Sequence, residues 1–76
     1  MALKLETKSI LNKEVRTVDG LSHGFVWGQT MTHITVVEGG WKYVIPTSLI
    51  TGFHGGTVFL SITKMEMIKY RVEFNN

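Results

Sequence analysis

Residues 43–56 read YVIPTSLITGFHGG, and the reading of this stretch decides the fold. Pro46, the one proline of the chain, interrupts a run that is otherwise apolar. Proline has no N–H to offer a β ladder, so it belongs at a strand end or a bulge. Thr47 and Ser48 supply polar turn residues, and Leu49 returns to the core. The stretch is therefore predicted to be a strand end, a tight 3₁₀-like turn over Pro46–Leu49, a return strand and a hairpin turn at Gly55-Gly56. A strand that must swing from one hairpin into the next in a small barrel needs such a corner.

Working towards the N-terminus, Gly39-Gly40 sits between MTHITVVE (31–38) and WKYVIP (41–46). A two-residue loop with positive φ matches the right-handed twist of paired strands, and glycine tolerates that geometry. The loop sets a register: Glu38 opposite Trp41, Val36 opposite Tyr43, Ile34 opposite Ile45. Those pairs share an apolar face, whereas Val37 with Lys42, Thr35 with Val44 and His33 with Pro46 form a mixed one. A slip of one residue would scramble that sorting. Further upstream, EVRTV (14–18) ends in the turn pair Asp19-Gly20, and GFVWG (24–28) reads as another strand.

On the C-terminal side, Gly55-Gly56 sets Phe53 opposite Val58, Thr51 opposite Leu60 and Gly52 opposite Phe59. Thr63 with Glu66 three residues later is a capping box, predicting a short helix over Lys64–Lys69 that presents Met65 and Ile68. The tail YRVEF (70–74) either continues that helix or forms a last strand, for which Leu3 and Leu5 of ALKLE are a candidate partner. The fold class is thus all-β: a small, partly open β-barrel of five or six strands with a short C-terminal helix or helical turn. Residues 1–8 are expected to be an N-terminal arm or edge strand, and residues 9–76 a single domain.

The 76 residues carry 43% hydrophobic and 18% charged side chains, which describes one small globular domain with a modest core. Without cysteine, no disulfide or thiolate metal site supplements that core. Eight basic residues against six acidic give +2, but the basic ones are scattered, as on a solvated surface. No apolar run approaches the ~20 residues of a membrane span. MALKLETKSI lacks the apolar middle of a signal peptide, so a cytoplasmic location is expected.

The order of strand, DG turn, two strands, proline corner, GG hairpin and capped turn resembles the PRC-barrel family. This is the small barrel shared by the photosynthetic reaction-centre H subunit and a ribosome-maturation protein, and also found as stand-alone archaeal and bacterial chains. The matching blocks are Lys13-Glu14-Val15 with Asp19-Gly20, Tyr43-Val44-Ile45-Pro46 with Ser48-Leu49-Ile50, and Val58 to Thr63 (VFLSIT), covering about residues 9–68. Where family members usually have a second Gly-rich step, IGKV, this chain has Gly24-Phe25-Val26-Trp27. The resemblance implies a binding and adaptor module with no reaction of its own. Members dock on membrane complexes, ribosomal proteins or division machinery, and stand-alone archaeal forms act as dimeric adaptors in cell division.

The residues themselves suggest no enzyme. His23, His33 and His54 have no ligand spacing and no carboxylate placed with them, so they read as ordinary surface histidines and no metal or cofactor is expected. Glu66 is accounted for by its cap and Asp19 by its turn, and neither Ser48 nor Ser61 has a nucleophile-elbow context. Trp27, Val44, Ile50 and Phe59 all count as facing away from the inferred core. Together they would make an apolar patch for a protein partner, above all a second copy of the chain. Read separately, they are scattered surface apolar groups, with Phe59 covering the cross-strand Gly52. In the alternative function, Trp27, Trp41 and Phe59 serve as stacking platforms for RNA or single-stranded nucleic acid.

Overall fold

The computed structural model describes residues 9–72. Seven strands follow in order: β1 Glu14–Arg16, β2 Ser22–Gln29, β3 His33–Glu38, β4 Trp41–Pro46, β5 Ile50–His54, β6 Thr57–Leu60 and β7 Arg71–Val72. A 3₁₀ turn, Thr47–Leu49, joins β4 to β5, and a 3₁₀ helix, Met65–Tyr70, precedes β7. All seven strands form one sheet in the order β5-β6-β1-β2-β3-β4-β7, with β1 and β6 parallel and the other pairs antiparallel. Among the described residues the strand count exceeds the five or six expected, and no pairing between the edges, β5 and β7, closes the sheet. The expected N-terminal arm, residues 1–8, and the last residues of the tail lie outside the described part of the chain.

The corner forces the sheet to curl. β4 and β5 are five strand spacings apart in the sheet, about 24 Å if it were flat. The chain from Pro46 to Ile50 spans at most about 15 Å even fully extended, and here it is wound into a 3₁₀ turn. Curling is the only way to satisfy both. Inside the curve lie Val15, Val26, Ile34, Val36, Tyr43, Ile45, Val58 and Leu60, with Ile10 and Met67 closing the core from outside the strands.

The β3–β4 hairpin has the register that its glycines dictate, from Glu38 opposite Trp41 to His33 opposite Pro46. Gly39 and Gly40 both take positive φ, 61° and 84°. In the β5–β6 hairpin only Gly55 does, at 61°. Here Phe53 faces Val58 and Gly52 faces Phe59, but Ile50 rather than Thr51 faces Leu60, because an irregularity falls between Ile50 and Gly52. One extra residue flips the side-chain parity. Ile50 therefore points inward and is only 7% exposed, not outward as counting from the turn implied.

The capping box is formed in both directions. The Thr63 N–H donates to Glu66 Oε1 at 2.8 Å, and the Glu66 N–H donates to Thr63 Oγ1 at 3.1 Å. The helix it starts is 3₁₀, and Met67 is the side chain it buries, while Met65 and Ile68 stay exposed. The tail then turns into β7, whose partner is β4: Arg71 lies opposite Tyr43 and Val72 opposite Lys42.

Candidate functional site

Two surfaces stand out. The first is a cleft of about 450 Å³ where the turn after β1 (Asp19, Leu21), the start of β2 (His23), β4 (Tyr43), the 3₁₀ helix (Lys64, Met65, Ile68) and β7 (Arg71) meet. Its polar framework is held by Lys64. The Lys64 ammonium donates to the Ser22 carbonyl at 2.7 Å and to His23 Nδ1 at 2.9 Å. Its backbone N–H points to Asp19, whose carboxylate also accepts from the Thr17 hydroxyl.

His23 is not the surface histidine that the sequence suggested. It is only 4% exposed and meets Tyr43 edge-on, ring centroids 4.6 Å apart. An ammonium has protons to give and no lone pair, so Nδ1 must accept and the ring proton sits on Nε2. That Nε2–H has no partner among the described residues. Burial lowers the His23 pKa, the Lys64 cation lowers it further, and Glu38 opposes both. The imidazole is thus held neutral at pH 7. His33 and His54 are exposed, as expected. Among the described residues no three His, Cys, Asp or Glu side chains gather as metal ligands.

The second surface is the outer face of β2, β3 and β4. Period-two alternation around the inward Val26 turns both Phe25 and Trp27 outward, 58% and 66% exposed. Phe25 lies opposite Val37, which lies opposite Lys42, which lies opposite Val72. Trp27 sits at a bulge beside the Gly28–Thr35–Val44 row. On this face the Lys42 ammonium lies 5.9 Å from the Trp27 ring centroid, whereas the Arg71 guanidinium, 4.0 Å from that of Trp41, sits on the opposite side of β4 with Tyr43. Basic groups that looked unconnected to the aromatics along the chain are brought onto them by strand pairing.

The expected patch therefore divides. Trp27 and Val44 share the outer face, joined by Phe25, which the alternation of GFVWG could have revealed. Phe59 is separated from them by β1, where Arg16 lies opposite Phe59 and pairs with Glu14 at 2.9 Å. Ile50 is in the core. Phe59 also does not cover Gly52: a Cβ built there would meet no atom within 4 Å.

The chain matches no family model, no curated protein and no solved structure. No helix among the described residues is long and apolar enough to cross a membrane. The fold and its surfaces define a small single-sheet β protein with an exposed aromatic face and a separate apolar cleft.

Proposed function

We propose that this chain is a non-enzymatic interaction module of the PRC-barrel type, its curled sheet being a partly open version of that barrel. It self-associates in the cytoplasm and serves as an adaptor in assembling a larger complex, cell division being the setting that the resemblance implies. The observation that carries this reading is the outward placement of Phe25 and Trp27 on one strand, beside Val37 and Val44. Large aromatics bring much apolar area and few rotors, which is why they anchor contacts between proteins. A two-fold pairing of this face is the simplest arrangement that buries it.

Light scattering after size exclusion tests it. The expected result is twice the 8.6 kDa chain mass, falling to the monomer in Trp27→Ser. A mass of one chain at every concentration would refute self-association. A second reading, single-stranded nucleic acid, is favoured by the cations over Trp27 and Trp41. It predicts binding of mixed-sequence RNA or DNA that weakens steeply with salt, measured by fluorescence anisotropy.

A further inference from the structure

The cleft beside the 3₁₀ helix is distinct from the aromatic outer face, and its chemistry is one-sided. Its walls are apolar: Leu21, Met65 and Ile68 all line it and all remain exposed to water. Its volume, about 450 Å³, is in the range of small-ligand sites, and the cleft is open to solvent along its apolar wall. Among the polar groups that line it, two are cations, Lys64 and Arg71, against one carboxylate, Asp19. Lys64 uses two of its three ammonium protons, on Ser22 and His23. The Arg71 guanidinium lies 4.0 Å from the Trp41 ring centroid, a cation–π contact that requires none of its N–H donors. The one acid in the lining, Asp19, is already engaged by the Thr17 hydroxyl and the Lys64 amide. His23 contributes a neutral ring and a buried N–H that meets no acceptor among the described residues.

From this the geometry points to a binding site for a small amphipathic carboxylate, its anionic head on Lys64 and Arg71 and its apolar tail along Leu21, Met65 and Ile68. Two cations against one satisfied carboxylate favour a negative ligand. A bare phosphate would leave the apolar walls uncovered, and an apolar amine would place a third cation beside Lys64 and Arg71. A neutral alcohol would meet the walls but could not match the cations.

Titration of the intact protein with octanoate, octanol and octylammonium, followed by NMR, tests the assignment. Saturable shifts at Leu21, the Met65 methyl, Ile68 and the His23 ring are expected with octanoate, with octanol and octylammonium about tenfold weaker or worse. Arg71→Gln should weaken octanoate about tenfold while leaving shifts of the distant β5–β6 hairpin in place. Lys64→Gln should do the same if the fold survives; Arg71→Gln decides the matter if it does not. Octanol or octylammonium binding as tightly as octanoate would overturn the proposal. So would shifts confined to Phe25 and Trp27, octanoate affinity unchanged in Arg71→Gln, or no saturation. The readout does not depend on the chain's mass, so failure of self-association would leave it intact.

Discussion

Gly24 and His23 are neighbours whose roles could not be inferred from their residue types alone. Gly24 has φ 76°, and a Cβ there would sit 2.1 Å from the Val37 carbonyl oxygen. Backbone cannot yield as a flexible side chain can, so Gly24→Ala should cost about 3 kcal/mol or more, read from the denaturant midpoint. Gly39 also has positive φ, 61°, but open space around it. Gly39→Ala should cost only the conformational strain, about 1–2 kcal/mol.

His23 sets the acid limb of the stability curve. Its folded pKa lies below its ordinary value of 6.5, so on acidification the unfolded chain takes up the proton first. Stability is then full above about pH 6.5 and falls as the pH drops towards the folded value, below which that loss is complete. Lys64 and Glu38 act on its charge, Asp19 and Arg71 line the same cleft, and the Tyr43 ring lies against it. A second loss belongs to carboxylates at lower pH. Hydrogen bonds from Ser22 and Arg16 depress Glu14, the Thr17 hydroxyl depresses Asp19, and the Thr63 amide depresses Glu66. In His23→Gln the first loss should vanish and the second remain. A melting series from about pH 7 to 5 reads this, and an unchanged slope in the variant would assign the titration to another group.

At the scale of elements, the irregularity in β5 and the capping box are testable devices. Ile50 is in the core only because of the extra residue before Gly52. Ile50→Ala should therefore cost about 2–4 kcal/mol by chemical denaturation, where an exposed isoleucine would cost within about 0.5 kcal/mol. Thr63→Ala removes one acceptor of the reciprocal cap and should cost about 1 kcal/mol. Adding Glu66→Ala should then cost less than it does alone, because each bond helps to hold the other in place. The elements that were legible were those punctuated locally. The β3–β4 register follows from Gly39-Gly40 and a period of two, and the corner follows from Pro46. The irregularities at Trp27 and Thr51 were not legible, since an inserted residue leaves composition and alternation nearly intact while reversing every face beyond it.

At the scale of the molecule, sequence separation limits what can be read. The parallel β1–β6 pairing joins Val15 to Val58, and the Lys64 contact that defines His23 bridges 41 positions. No local pattern encodes either. Phe25 could have been placed outward from the alternation around Val26, yet its nearness to Val37, Lys42 and Val72 appears only when four strands are assembled. The same assembly separates Phe59 from Trp27 by the Arg16–Glu14 pair. By itself the sequence determined the β class, the glycine hairpins, the capping box and the proline corner in YVIPTSLITGFHGG, because each depends on residues within a few positions of one another. Only the tertiary structure decided which side chains share a surface, because curling a sheet around one small core joins distant residues and lets a single bulge choose between inside and outside.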